Sequence, residues 1–193
     1  MKFKYLLFVI VGIVQITSAQ NKYEQESRID KADFPNSAYL LIEDYLKDAK
    51  RVRFYQEIDS TKKSYEAKFK KGRLRYSVEF DEQGTLEDVE FKIKVRDIPN
   101  DTWGAIQSYL DKNHYKHRVK KIQQQYPLRE EKSVEKTLHN AFQNLILPDV
   151  NYELVFSAKE SGGFQEYEAL FDYEGQLIRL RKSFPPSYDH VLY

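Results

Sequence analysis

The feature that most constrains this chain is a repeat inside it. Asp33-Phe34-Pro35-Asn36 recurs as Asp97-Ile98-Pro99-Asn100, and at the same offset Ile42, Tyr45 and Leu46 recur as Ile106, Tyr109 and Leu110. Tyr65-Glu66 and Phe69 match Tyr152-Glu153 and Phe156, while Phe80-Asp81, Gly84 and Leu86 match Phe171-Asp172, Gly175 and Leu177. Four matched blocks in one order are the signature of a duplicated unit. They divide the chain into an N-terminal stretch 1–19, a segment 20–32, repeat 1 at 33–96, repeat 2 at 97–184 and a tail 185–193.

Each copy reads as one helix followed by strands. Pro35 and Pro99 fit helix starts, where a missing N–H costs little. Tyr39, Ile42, Tyr45, Leu46 and Ala49 fall at helical spacing, as do Trp103, Ile106, Tyr109 and Leu110, so each helix has one apolar face. The period then changes to two. Tyr65, Ala67 and Phe69 alternate with Glu66, Lys68 and Lys70; Leu74, Tyr76, Val78 and Phe80 alternate with Arg73, Arg75, Ser77 and Glu79; Val89, Phe91, Ile93 and Val95 alternate with Glu90, Lys92 and Lys94. Alternation of this kind means one packed and one solvated sheet face. With an earlier strand at 51–58 and short Gly-containing turns at 70–72 and 81–84, repeat 1 predicts a four-stranded antiparallel meander with its helix on one face. The matching strands of repeat 2 are predicted at 118–125, 151–158, 164–172 and 177–184. The fold class is α+β.

Repeat 2 also carries an insertion between Pro127 and Pro148. Val134, Leu138, Ala141 and Leu145 lie there at helical spacing after Ser133, a fitting N-cap, which predicts an additional helix at 134–146. The outward positions of repeat 1 are polar, whereas Ile122, Val155 and Leu170 stand where Tyr55, Lys68 and Glu79 stand in repeat 1. An apolar outer face needs a cover. The expectation is that the inserted helix lies across it, leaving the sheet of repeat 1 open. Partner contacts are then expected on repeat 1 at Arg53, Tyr55, Arg73 and Arg75, because Tyr and Arg are common interface anchors.

The N-terminus bounds the compartment. Lys2 and Lys4 precede an uncharged apolar run, Tyr5 to Val14, and Thr17-Ser18-Ala19 follows, a pattern that reads as a Sec-type secretory signal cleaved before Gln20. Gln15 interrupts the run too early for a spanning helix, which needs about 20 apolar residues. The whole chain has 31 Lys+Arg and 30 Asp+Glu, so losing Lys2 and Lys4 leaves 29 against 30, a balance unlike that of a nucleic-acid binder. There is no cysteine, which excludes disulfides, thiol catalysis, Cys-ligated metals and a lipoprotein anchor. The expected location is periplasmic or secreted.

A helix opened by a Pro-containing segment and closed near a Tyr, then a meander with an F-D-x-x-G hairpin, resembles the PepSY-like domains of exported bacterial proteins and the related tandem-repeat beta-lactamase inhibitor protein. The residues that carry the resemblance are Pro35, Tyr45, Phe80, Asp81 and Gly84, then Pro99, Tyr109, Phe171, Asp172 and Gly175. It covers nearly all of 33–184 and implies a non-enzymatic exported domain that binds or inhibits a protein. It brings no catalytic residues.

Reactive constellations are sparse. Asp81 and Asp172 begin turns closed by Gly and suit turn chemistry, with too few oxygens for a calcium loop. His114 and His117 form H-x-x-H without a third ligand in sequence reach, since His139 lies on the inserted helix and His190 in the tail. No G-x-S-x-G and no phosphate-binding glycine loop occurs. Basic runs at 50–53, 68–75 and 116–121 admit attraction to an anionic envelope polymer or membrane, or simple balance by Glu57, Glu66, Glu79 and Glu90 across the sheet. The expectation is an exported binding module for an envelope protein or peptide, without catalytic residues, metal or cofactor. An envelope hydrolase with an unrecognised acid pair and a structural accessory subunit are the alternatives.

Overall fold

A computed structural model of the chain describes residues 20–22, 24–59 and 62–183, so the expected signal and His190 lie outside the described residues. Strands β1 (Gln20–Lys22) and β2 (Glu24–Ile29) precede helix α1 (Asn36–Leu46). Strands β3 (Lys50–Asp59), β4 (Lys62–Lys71), β5 (Leu74–Asp81) and β6 (Leu86–Lys92) follow. Helix α2 (Asn100–Asn113), strand β7 (His117–Pro127) and helix α3 (Val134–Phe142) come next, then β8 (Asn151–Glu160), β9 (Gly163–Phe171) and β10 (Leu177–Ser183).

All ten strands belong to one sheet, in the order β1-β10-β9-β8-β7-β6-β5-β4-β3-β2. The expectation of a separate sheet per repeat is corrected. The two meanders join in mid-sheet, where β6 pairs with β7 and Val89 faces Tyr126. Every neighbouring pair is antiparallel except β1 with β10.

The sheet is curled until its edges meet. β1 lies on one edge, with Lys22 opposite Ser183, and β2 lies on the other, with Glu24 opposite Asp59. Only one residue separates Lys22 from Glu24, so their Cα atoms are at most about 7.6 Å apart. β1 and β2 thus lie side by side in the chain, β1 pairing with β10 and β2 with β3. The Arg181 guanidinium of β10 reaches Asp59 of β3 at 3.2 Å across the join.

Closure gives the sheet two unlike faces. The outer face carries the core under the helices. Ala38 and Ile42 of α1, and Ile106 and Leu110 of α2, pack with Phe80, Phe91, Leu154, Phe156 and Phe171. Phe80 and Phe171 are both fully buried. The hairpins beyond them have the same construction. The Asp81 carboxylate accepts from the N–H groups of Gln83 and Thr85, and the Asp172 carboxylate from those of Glu174 and Gln176. Gly84 and Gly175 close these turns at φ +80 and +82 and lie against the first turns of α1 and α2.

Helix α3 is the largest departure from expectation. It begins as predicted, with Ser133 Oγ accepting from the Lys136 N–H at 3.2 Å. It ends at Phe142, before 146, because Asn144 turns left-handed at φ +52 and the N–H groups of Asn144 and Leu145 return to the carbonyls of Ala141 and Asn140. It packs on the helix side, with Leu138 and Ala141 in the core and the Phe142 ring stacked on Tyr45 at 4.0 Å. The expected cover of the opposite face is therefore corrected. A bulge between Val119 and Lys121 shifts the alternation of β7, so Ile122 faces Leu154 in the core. Val155 and Leu170 do lie on the other face, where the curl of the sheet itself covers them.

Candidate functional site

The inner face of the curled sheet encloses a polar concavity of about 740 Å³. Its walls come from every strand from β2 to β10, and Lys62 and Glu87 at one mouth and Arg75 and Lys92 at the other open it to solvent. Curling buries side chains that alternation alone would leave wet. Glu57, Glu66, Glu90, Glu153 and Glu168 are each less than one-tenth exposed.

Ionised carboxylates tolerate such burial only when paired. Three cationic knots supply pairing. The Lys68 ammonium sits among Glu26, Glu57 and Glu66, with Glu66 Oε2 at 2.6 Å and Glu57 at 3.9 Å. Glu26, Glu57 and Glu66 are also the one group among the described residues whose geometry could hold a metal ion, and Lys68 bonds directly to Glu26 and Glu66 there. Arg181 joins Glu168 at 2.5 Å to Asp59 at 3.2 Å. Lys121 lies 3.6 Å from Glu153.

Asp88 and Glu90, two residues apart on β6, are held differently. The Gln125 amide donates to Asp88 Oδ2 and to Glu90 Oε1, at 3.0 Å each, and its own oxygen accepts from Asn151 at 3.0 Å. Gln123 donates to Glu90 Oε2. No Lys or Arg lies within 4 Å of either carboxyl among the described residues, and Asp88 Oδ1 is buried without a hydrogen-bond partner. Burial, and then the charge of Glu153, push Asp88 up to about 8. The same two causes hold Glu90 well above the usual carboxylate range. Asp88 therefore favours a bound proton at neutral pH, Glu90 is pushed in the same direction, and an incoming cation can take the proton's place.

The expected partner residues converge only in part on this site. Arg53, Tyr55 and Arg75 are on its face of the sheet, opposite Lys68, Glu66 and Lys70, and Arg73 stands exposed in the β4–β5 turn. Lys68 Nζ lies over the Tyr55 ring at 4.8 Å. All four cluster toward one mouth, with Arg75 alone among the lining residues. Asp88, Glu90, Gln123, Gln125 and Asn151 were not singled out from sequence. The signal available was Gln123-Gln124-Gln125 in mid-strand, where alternating residues face a closed interior.

Among the described residues, no third group joins His114 and His117 in a ligand cluster. The His114 ring packs on Phe156 and Tyr167 at 4.9 and 5.0 Å, and burial, then His117, hold its pKa below the usual histidine value. His117 Nδ1 is 3.0 Å from the His114 carbonyl oxygen.

No protein-family model and no curated protein matches the chain. Solved structures do. A DUF2874 family protein from Bacteroides ovatus has 13% identity and a TM-score of 0.53 over 77% of this chain and 86% of its own. A second, from Bacteroides uniformis, has 14% identity and a TM-score of 0.51 over 77% and 89%. A BLIP-like protein from Bacteroides fragilis has 12% identity and a TM-score of 0.47 over 76% and 84%. Other neighbours are described as periplasmic proteins. The first two likenesses show the fold. None of these names mentions PepSY.

Proposed function

We propose that the protein is an exported, non-catalytic binding module, built by duplication of a helix-and-meander unit, that holds a positively charged side chain of a protein or peptide partner in the polar concavity. The observation that carries this is the carboxyl pair Asp88 and Glu90, buried in a space open to solvent and held by neutral amides alone. Three comparable acidic groups in the same space already have their own Lys or Arg. A ligand ammonium or guanidinium would give this fourth group the same partner. The apolar run before Gln20 supports export.

A raised carboxyl pKa also suits a general acid, the requirement of the hydrolase alternative. Acid–base pairs, however, have environments that push the two pKa values apart. Asp88 and Glu90 are pushed the same way by the same causes and share one amide.

The test is equilibrium binding of a pentalysine peptide and its ε-acetylated form. The parent should prefer the unmodified peptide, and Asp88→Asn with Glu90→Gln should weaken that binding about tenfold or more. Equal affinity for the two peptides, or no change in the double variant, would refute the reading.

A further inference from the structure

The basic runs at 50–53, 68–75 and 116–121 are distant in sequence, and the strand order gathers them at one end. β3 begins there at Lys50, β4 and β5 turn there through Gly72 and Arg73, β6 ends there at Lys92, and β7 begins there at His117. α1 and α2 each pass the chain to β3 and β7 within four residues, so their C-termini also point to this end. Negative helix ends account for some of this positive charge. Lys71 Nζ, for example, donates to the Tyr45 carbonyl at 2.9 Å. They do not account for Arg53, Lys70, Arg73, Lys92 and Arg118, which are exposed and pair with no carboxylate within 4 Å among the described residues.

A second observation falls on the same end. Of the large apolar side chains at the described surface, Tyr115 at 87% and Phe164 at 70% stand furthest out. Tyr115 lies in the α2–β7 connection and Phe164 beside the β8–β9 turn, which the pairing of His117 with Ala158 places at the basic end. The opposite end carries Asp59, Asp81, Glu82, Asp172 and Glu174 in its hairpins.

We propose that the basic end docks the protein on an anionic lipid surface, its cations meeting headgroup phosphates and Tyr115 and Phe164 entering the boundary between headgroups and acyl chains. Exposed aromatics beside unpaired Lys and Arg are the chemistry of that boundary. The cations come from separate strand ends around a mouth, an arrangement that meets a surface rather than tracking a linear polymer. Docked in this way, the molecule turns its acidic mouth away from the lipid, toward a cationic ligand.

The experiment is co-sedimentation of the chain from Gln20 onward, which contains all described elements, with vesicles. Phosphatidylglycerol–phosphatidylcholine vesicles should bind it at low salt and release it at high salt, and phosphatidylcholine vesicles should not bind it. Arg53→Gln, Arg73→Gln and Arg118→Gln together should lower binding about a hundredfold, at about fivefold per cation near a charged surface. Lys63→Gln, at the other end, should leave it unchanged. Should the triple variant fail to fold, the corresponding Arg→Lys triple should bind as the parent does. Tyr115→Ser with Phe164→Ser should weaken binding and keep its salt dependence. Equal binding to both vesicle types, equal loss in the Lys63 variant, or retention by soluble polyphosphate with none on vesicles would overturn the proposal.

Discussion

At the scale of single residues, the buried carboxyls set the pH response. Asp88 is raised to about 8 in the folded chain, far above an unfolded aspartate. Folded protein therefore binds a proton that unfolded protein has lost, and the stability this contributes is full below about pH 4 and disappears as pH rises toward 8. Thermal unfolding between pH 5 and 9 should show Tm falling with pH through this group. Asp88→Asn keeps an acceptor for Gln125 and should raise stability at pH 8 by on the order of 1 to 3 kcal/mol while flattening the profile. The two turn glycines offer a paired comparison. A Cβ on Gly84 would come 2.2 Å from the Ser37 hydroxyl, which can rotate away, whereas one on Gly175 would come 2.6 Å from the Thr102 backbone oxygen, which cannot. Both also sit at positive φ, so each alanine costs about 1 kcal/mol for conformation alone. Chemical denaturation should find Gly175→Ala the more damaging.

At the scale of elements, α3 is fastened by its aromatic end. Phe142 stacks on Tyr45 and lies 4.9 Å from Tyr76, tying α3 to α1 and to β5. Phe142→Ala should cost about 2 to 3 kcal/mol in denaturant midpoint measurements, less than a fully buried ring. A cost near zero would mean that α3 docks elsewhere. This element also shows what the sequence could and could not reveal. Ser133 and the spacing from Val134 announced the helix, because capping and periodicity are local. Asn144 did not announce its end, since an Asn becomes a left-handed cap only when the chain must turn there. The apolar stripe showed that the helix is buried, yet a stripe does not say on which layer. Ile122 misled for a related reason. One bulged residue in β7 reverses its face, and a period-two reading has no means of seeing a bulge.

At the scale of the whole molecule, the curl turns a solvated face into a site. Glu66 and Glu90 read from sequence as outward positions, and so they are, but the outward face bends round on itself. That bend depends on β1 and β2 holding the two edges, a pairing between distant segments that no local pattern records. The strands and helices were legible, and the candidate site was not, because its burial is a property of closure. Closure is therefore the claim on which the site, its shifted carboxyls and the ligand proposal all rest. It can be measured directly, since the chain has no cysteine to compete with introduced ones. Nitroxide labels at Ile58→Cys and Lys182→Cys flank the Asp59–Arg181 join, on strands seven steps apart in the sheet order. Pulsed electron–electron double resonance should give a separation below about 20 Å if the edges meet. A distance above about 30 Å, the span of seven strand spacings in an open sheet, would contradict the account.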